Sequence, residues 1–288
     1  MKHQHHFIVK ILLAAALTVT GMFSWQSASA ARQYVRSNTP TIFVHGWGSS
    51  AHAEESMANA AHRAGVTNTI VRANVDRKGN VTFNRTIPKN ATNPIVEVNL
   101  ADNKLSGYSD NYARGYRHGG TYIKNVVQAL EKQHHYAAIN LVGHSMGNLE
   151  IANYINDNYP SKRLPKISHL VAIAGHYNGL SGQKVAESSI DQQTGKPSRE
   201  DAGFTELLGL RNNFPTNTKV LNIYGNYQGK HSDGDVPNNS SKTLKYLVSG
   251  RAKSYQELEI RGKKAQHSQL HNNNHQVNNA LIKFLWTK

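Results

Sequence analysis

The segment INLVGHSMGNLE, residues 139–150, places a serine between two glycines where an apolar run gives way to a helical pattern. Its centre, Gly143-His144-Ser145-Met146-Gly147, fits the pattern G-x-S-x-G, and the apolar run predicts the strand that this pattern requires. The turn is so tight that side chains two residues before and after the serine would collide, which glycine prevents. The segment therefore predicts a nucleophile elbow that holds Ser145 Oγ above the edge of a sheet.

A serine hydroxyl is a weak nucleophile at neutral pH, so this prediction requires two further side chains. A base must accept the hydroxyl proton, and a carboxylate must orient that base. For a serine in such an elbow, the expected chain order is serine, acid, histidine. Both partners should therefore follow Ser145 in the sequence, each placed after a strand.

The acid is predicted in the loop that follows the apolar segment KVLNIYG, residues 219–225. That loop contains His231-Ser232-Asp233-Gly234-Asp235-Val236-Pro237 and is rich in turn-forming residues. Asp233 is the preferred acid, and Asp235 is the alternative. A further interpretation makes both aspartates simple turn residues without a catalytic role.

The base is predicted just before the last helix, in the segment Gln266-His267-Ser268-Gln269-Leu270-His271. His267 lies nearer to the preceding strand and is preferred to His271. A competing interpretation groups His267, His271 and His275, which a helix would align as a metal site. Residues 272–274 are all asparagine and disfavour a continuous helix, and no carboxylate lies in the run. Neither a metal nor another cofactor is therefore predicted.

Acyl transfer also requires hydrogen-bond donors for the negative charge that develops on the carbonyl oxygen. One donor is usually the backbone N–H of the residue after the nucleophile, which here is Met146. A second comes from the loop after an early strand, and Phe43-Val44-His45-Gly46-Trp47-Gly48 has the expected form. The predicted oxyanion hole therefore consists of the backbone N–H groups of Trp47 and Met146.

The first 30 residues have the composition of a signal peptide. Lys2 and Lys10 precede an apolar run over residues 11–23, and Ala28-Ser29-Ala30 offers a cleavage site. The run is shorter than a membrane span, which needs roughly 20 residues. Export with cleavage after Ala30 is predicted, and retention of residues 11–23 as a membrane anchor is the alternative. The exported protein would be secreted or held at the cell surface.

The chain is strongly basic, with 33 Lys and Arg residues, 18 Asp and Glu residues and a formal net charge of +15. Two of the basic residues lie in the predicted signal peptide, so the exported chain would carry +13. Such a charge favours contact with an anionic cell envelope. The basic residues are scattered, so no specific nucleic-acid binding is predicted. The absence of cysteine excludes disulfides and thiolate metal sites.

Short apolar segments rich in β-branched residues alternate with longer amphipathic segments, which is typical of parallel strands joined by helices. The predicted strands are 41–45, 69–74, 95–100, 138–142, 169–174, 219–224 and 255–260. The predicted helices are 50–64, 116–134 and 276–285. The sequence after the signal peptide therefore predicts one α/β domain over residues 31–288.

Two regions depart from this alternation. Residues 76–93 include Gly79-Asn80 as a turn signal and predict a hairpin. Residues 176–217 are rich in Gly, Ser, Gln and Asn, with one apolar helix predicted over 204–210. This insertion is predicted to cap the site, where Tyr177, Phe204, Leu207 and Leu208 would form an acyl or alcohol pocket; a solvated surface excursion is the alternative.

These residues resemble the α/β-hydrolase superfamily and, more closely, a family of exported proteins of Gram-positive bacteria that are labelled as domains of unknown function and often named cell-surface hydrolases. The resemblance extends over nearly all of residues 38–288. It rests on TPTIFVHGWGSS, NPIVEVNLADN, NLVGHSMGN, GKPSR, LNIYG, HSDGDVPNNSSKTLKYL, AQHSQLH and LIKFLW. It implies an α/β-hydrolase fold, a doubly wound, mostly parallel sheet with helices on both faces, and a catalytic triad at Ser145, Asp233 and His267.

The sequence therefore predicts an exported serine hydrolase whose substrate is a small-molecule or lipid ester. An ester is preferred to an amide because the sequence has no recognisable peptide-binding signature. The other hypothesis is a cell-surface binding or adhesion protein that keeps a hydrolase scaffold with little turnover, which the basic surface favours. Three intact catalytic positions and both oxyanion elements argue against it. The oligomeric state is left open.

Overall fold

Eight strands form one sheet in the computed structural model, which describes residues 34–288. The strands are β1 (Thr41–Val44), β2 (Ile70–Val75), β3 (Val81–Phe83), β4 (Ile95–Leu100), β5 (Ala138–His144), β6 (Lys166–Ile173), β7 (Lys219–Asn226) and β8 (Ser254–Arg261). Seven of them coincide with the predicted strands, and β3 completes the predicted hairpin. The predicted signal peptide, residues 1–30, lies outside the described residues.

The strand order across the sheet is β3-β2-β4-β1-β5-β6-β7-β8. Every neighbouring pair is parallel except β2 and β3, which form the antiparallel hairpin. The chain begins in the middle of the sheet, builds one half, and then returns to build the other half, so the fold is doubly wound as predicted. β1 and β5 are neighbours, and Val44 is paired with Gly143, which brings the loop after β1 beside Ser145.

The helices connect the strands and lie on both faces of the sheet. They are α1 (Glu55–Arg63), α2 (Tyr112–Gln133), α3 (Met146–Asn158), α4 (Ala202–Glu206), α5 (Leu210–Asn213), α6 (Asn238–Lys242), α7 (Leu244–Val248) and α8 (His275–Trp286). Short 3₁₀ turns at Ala51–Ala53, Leu207–Gly209, Tyr227–Gly229, Lys263–Ala265 and His267–Gln269 join them. The predicted helix over 50–64 is therefore divided into a 3₁₀ turn and α1.

Side-chain caps explain where two helices begin. α2 starts four residues before its predicted start, because the Asn111 side chain accepts a hydrogen bond from Arg114 N–H. α8 starts at His275 because the Asn274 side chain accepts from Val277 N–H. The asparagine-rich segment before α8 thus supplies the cap of that helix.

Two apolar layers, one on each face, enclose the sheet. Ile42 and Val44 of β1 belong to the layer that contains the apolar faces of α2 and α3. Phe43, between them, belongs to the opposite layer with residues of α1 and α8. Both faces of the sheet are therefore covered by helices. The loops at the carboxyl ends of the strands are the usual place for a ligand or active site in an open α/β sheet.

Within residues 34–288, the helices are all too short or too polar to cross a membrane.

Candidate active site

Ser145 occupies the sharp turn between β5 and α3, with backbone angles φ 51° and ψ −122°. Its N–H donates a 3.0 Å hydrogen bond to the carbonyl oxygen of Ile173, the last residue of β6. The Asn148 side-chain amide donates to the carbonyl oxygens of Ser145 and Ile173, at 3.1 and 2.8 Å. The turn is therefore held from both the neighbouring strand and the following helix.

Both glycines of the elbow permit close packing against neighbouring parts of the chain. A Cβ on Gly143 would lie 2.6 Å from Asn148 Oδ1 in α3, and a Cβ on Gly147 would lie 2.7 Å from the His45 carbonyl oxygen after β1. Cβ atoms essentially never approach other atoms so closely. Atoms of α3 and of the chain after β1 therefore also require glycine at these two positions.

The side chains of Ser145, His267 and Asp233 form a continuous hydrogen-bonded row. Ser145 Oγ lies 3.0 Å from His267 Nε2, and His267 Nδ1 lies 2.8 Å from Asp233 Oδ2. A carboxylate only accepts, so His267 Nδ1–H donates to Asp233 and Nε2 is free to accept the serine proton. Asp233 is 1% exposed, Ser145 7% and the His267 side chain 12%, so the whole row is largely shielded from bulk water.

The loop after β7 distinguishes Asp233 from its rival Asp235. Asp233 Oδ1 accepts backbone hydrogen bonds from Asp235 at 2.9 Å and from Val236 at 2.7 Å, which leaves Oδ2 for His267. The backbone N–H of His267 also donates to the Asp233 carbonyl oxygen, at 2.9 Å. The Asp235 side chain is exposed. Asp233 is thus oriented by the turn that Asp235 helps to form.

His271 has a different set of contacts from His267. Its Nδ1 donates a 2.8 Å hydrogen bond to the Ala53 carbonyl oxygen, and its ring packs 4.3 Å from that of His144. His144 in turn has Nε2 at 3.2 Å from the His267 carbonyl oxygen, so it braces the loop that carries His267. His267 lies in a 3₁₀ turn and His275 begins α8, so the helix that would align the three histidines as a metal site does not form.

The surroundings of His267 favour its charged form. Burial by itself lowers the pKa of His267, but the hydrogen bond and negative charge of Asp233, with a contribution from Asp235, outweigh burial and raise the pKa above 6.5. The pKa of His144 is well below its usual range because of burial and the neighbouring charges of His267 and His271. His267 is therefore the histidine in this group that is suited to accept and hold a proton.

The loop after β1 brings a second backbone donor close to the serine. A Cβ on Gly46 would lie 2.9 Å from Ser145 Cβ, so only a glycine allows this loop to approach. His45 shapes the loop: its Nε2 accepts from Leu100 N–H at 3.2 Å, and Nδ1–H therefore donates to the Gly46 carbonyl oxygen at 2.8 Å. Among the described residues the Trp47 N–H has no hydrogen-bond acceptor, and Met146 N–H, at the start of α3, has none within the helix.

A cleft of about 1120 Å³ runs along this edge of the sheet, with Ser145, Met146 and His267 in its wall. The insertion between β6 and β7 supplies another large part of the wall, which includes Tyr177. Phe204 and Leu207 do not line the cleft. They are buried in the apolar layer beside α3 because α4 turns its apolar side inward, which corrects their expected role in an acyl or alcohol pocket. Leu208 packs against the same layer.

Asn178 ties the insertion together. Its side-chain amide donates to the carbonyl oxygens of Val185 and Arg199, at 3.1 and 2.9 Å, and its Oδ1 accepts from Asp201 N–H at 2.9 Å. Its own N–H donates to Ser240 Oγ at 3.0 Å. One buried side chain therefore joins its own segment to two others, at Val185 and at residues 199–201.

Sequence reasoning missed several polar and aromatic residues that line the cleft. Tyr112 and Tyr116 of α2 line it, as do His176 after β6 and Asp201 before α4. Tyr112 and Tyr116 stand four residues apart, so a helix that began at Tyr112 would have placed both rings on one face. His176 and Asp201 carry no comparable signal, because each lies in a loop whose path only the fold determines.

The comparisons with known proteins agree with this architecture. The family model described as "Alpha/beta hydrolase of unknown function (DUF915)" matches residues 28–288. A solved structure of a Listeria innocua gene product has a TM-score of 0.75 and 24% identity, over 86% of this chain and 94% of that one. The candidate cell surface hydrolase of Lactobacillus plantarum WCFS1 has a TM-score of 0.66 and 20% identity, over 86% and 89%. A search of curated proteins found no match. The two solved structures support the fold.

Proposed function

The chain belongs to the family of α/β hydrolases of unknown function whose model it matches, and from this membership we propose that it is a serine hydrolase that cleaves carboxylic esters. The observation that supports the proposal best is the row from Ser145 Oγ through His267 to Asp233, with hydrogen bonds of 3.0 and 2.8 Å. A base and its orienting carboxylate at these distances are what a serine needs to attack a carbonyl carbon.

In the proposed reaction His267 Nε2 takes the Ser145 hydroxyl proton while Oγ bonds to the ester carbonyl carbon. The N–H groups of Trp47 and Met146 donate to the oxyanion that forms. His267 then gives its proton to the departing alcohol as the carbon–oxygen bond breaks, which leaves an acyl group on Ser145. Water, deprotonated by His267, attacks this acyl group; the bond from the acyl carbon to Ser145 Oγ then breaks, His267 returns the proton to Oγ, and the acid leaves. Asp233 holds the imidazole in place and stabilises its charged form throughout.

We also propose that the protein works outside the cell, secreted or at the cell surface. The signal-peptide pattern of residues 1–30 supports export, and the net charge of +13 on the remaining chain suits a surface rich in anionic polymers. The similar Lactobacillus plantarum protein bears the name of a cell surface hydrolase, which is consistent with this location. Fractionation of cells, with the signal sequence intact and deleted, tests the proposal.

Hydrolysis of p-nitrophenyl esters of short and medium acyl length tests the proposed chemistry. Wild-type protein is compared with Ser145→Ala and with Ser268→Ala, a serine beside His267 whose hydroxyl contacts only Gln266. We expect Ser145→Ala to lose activity and Ser268→Ala to retain it. A fluorophosphonate probe should label wild type and Ser268→Ala but not Ser145→Ala. Absence of both turnover and labelling in wild type would favour the surface-binding alternative.

A further inference from the structure

The charge of the cleft is opposite to the charge of the chain. The chain has a formal net charge of +15, but no lysine or arginine of the described residues lines the cleft. The titratable side chains in its wall are the carboxylates Asp110, Asp201 and Asp235, four histidines and three tyrosines. Among residues 34–288 none of these three carboxylates forms a salt bridge. A positive group that enters the cleft would therefore meet unpaired negative charge.

Aromatic rings continue this wall from the mouth of the cleft toward its interior. Trp47 and Tyr112 pack edge to face with centroids 5.5 Å apart, and Tyr112 and Tyr116 stack at 6.4 Å. Tyr116 then meets His176 edge to face at 5.5 Å. Trp47 is 46% exposed, so part of its ring is open to solvent. Exposed faces of Trp and Tyr attract cations through their ring quadrupoles.

His176 supplies an unpaired polar atom at the inner end of this wall. The residue is 6% exposed, and Nε2 lies 3.1 Å from the Tyr116 hydroxyl. Its Nδ1 is buried without a hydrogen-bond partner among the described residues. Burial, with the charge of His267, lowers the pKa of His176 to about 3, so the ring is neutral and adds no positive charge. Buried polar atoms are normally paired, so an unpaired one in a cleft indicates a ligand contact.

We propose that Asp201, Tyr112, Tyr116 and His176 form a subsite for an ammonium group, and that the substrate is an ester whose acyl or alcohol part carries this group. The inference rests on the proposed serine hydrolase function and adds a substrate class to it. Carboxylate charge provides long-range attraction, the ring faces provide contact with the cation, and His176 provides a polar contact deeper in the cleft. Neutral and anionic esters of the same shape lack the first two interactions.

Two pairs of near-isosteric esters test the subsite. The phenyl ester of alanine has an ammonium group in its acyl part where phenyl isobutyrate has a methyl group. Acetylcholine has a trimethylammonium group in its alcohol part where 3,3-dimethylbutyl acetate has a tert-butyl group. The quantity compared is the ratio of kcat/KM for the cationic and neutral member of each pair. Because an ammonium group also changes the intrinsic reactivity of an alanine ester, the decisive comparison is between wild type and Asp201→Asn.

Asp201→Asn removes the charge and keeps the helix cap, because the asparagine carbonyl can still accept from Gly203 N–H, which lies 2.8 Å from Asp201 Oδ2. We expect the ratio for one of the two pairs to fall about tenfold, and the affected pair identifies the part of the ester that carries the charge. Asp191→Asn is the matched control. Asp191 lies in the same insertion, outside the cleft, and binds Thr194, so the ratio should stay within about twofold of wild type.

The outcomes separate the subsite from the proposed function. If wild type hydrolyses the neutral esters but Asp201→Asn leaves both ratios unchanged, the ammonium subsite is refuted and the hydrolase proposal stands. If wild type hydrolyses no ester, the hydrolase proposal fails, and calorimetric titration of choline into the purified protein then decides the subsite. Binding weakened about tenfold by Asp201→Asn would support it, and no choline binding to wild type would refute it.

Discussion

The two walls of the cleft are built in different ways. On the Ser145 side, the backbone itself packs: glycines at 46, 143 and 147 let the chain after β1, the turn and α3 approach more closely than a Cβ would allow. On the side of the insertion, side chains hold the structure, with Asn178 linking Val185, Arg199 and Asp201 by hydrogen bonds of 2.9 to 3.1 Å. One wall requires the absence of side chains, and the other is held by side-chain hydrogen bonds, of which Asn178 makes three.

This difference separates the proposed reaction from the proposed recognition. Backbone packing fixes atoms to within tenths of an ångström, which general-base chemistry requires. Hydrogen-bonded loops tolerate substitution and rearrangement more easily. We therefore expect changes on the Ser145 side to abolish turnover or folding, and changes on the side of the insertion to alter which substrate is accepted.

The largest effect is expected from Asp233→Asn. An asparagine at this position cannot hold the His267 tautomer with Nδ1–H directed toward it as a carboxylate does, so kcat should fall by about 10³- to 10⁴-fold, as in related triads. Asp235→Asn, two residues away with its side chain in solvent, should lower kcat for a neutral ester by less than about tenfold. Steady-state kinetics on a p-nitrophenyl ester measures both, and equal losses would contradict the assignment of Asp233 as the acid.

The next largest effect is expected from Gly147→Ala, which tests the backbone packing on the Ser145 side. Gly147→Ala would place a Cβ 2.7 Å from the His45 carbonyl oxygen, so α3 must shift away from β1. We expect the free energy of unfolding to fall by about 3 kcal/mol, the upper range for overpacking, together with most of the activity. Gly107→Ala, with no atom within 4 Å of its Cβ, should change stability by less than about 0.5 kcal/mol. Urea denaturation compares the two, and a stable, active Gly147→Ala protein would refute this account.

A smaller effect is expected on the side of the insertion. Asn178→Ala removes three side-chain hydrogen bonds, which should cost about 2 kcal/mol of stability and loosen the wall that carries His176 and Asp201. KM should rise several-fold while kcat stays within about threefold, because the row of Ser145, His267 and Asp233 is untouched. Asn125→Ala, which removes one bond to the Gly79 carbonyl in the hairpin, should leave KM unchanged. A fall in kcat without a change in KM would show that the two walls are not separable.

The smallest of these tests follows the pH dependence of kcat/KM. His267 must be neutral to accept a proton, so activity is lost as pH falls through its pKa in the folded protein. Asp233 and Asp235 raise that pKa, so the midpoint of the acid limb should lie above 6.5. Asp235→Asn removes one of the raising charges and should move the midpoint downward. A midpoint at or below 6.5, in rate profiles measured from pH 5 to 9, would contradict this environment for His267.

The same contrast explains which features the sequence could predict. Strands, the elbow and the positions of Ser145, Asp233 and His267 depend on local patterns: apolar runs, glycine spacing and the order of loops after strands. Asparagine is a common helix cap, and the cap at Asn111 makes α2 begin four residues before its predicted start. The additional turn of helix carries Tyr112, which lines the cleft. His176 and Asp201 could not be found, because they line the same cleft only after residues 174–218 fold against α2. Phe204 and Leu207 were misassigned because apolar residues in an insertion suit a pocket and a core equally well.

The backbone conformation of Ser145 bears on which residue selection would keep at this position. A φ of 51° with a ψ of −122° strains any residue that has a Cβ, by about 1 to 3 kcal/mol, whereas glycine adopts it freely. Ser145→Gly should therefore be inactive yet more stable than wild type by about 1 kcal/mol, after allowance for the greater freedom of glycine in the unfolded chain. Ser145→Ala, which keeps the Cβ, should show no such gain. Selection for folding alone would thus replace this serine by glycine, and its presence is what selection for chemistry would maintain.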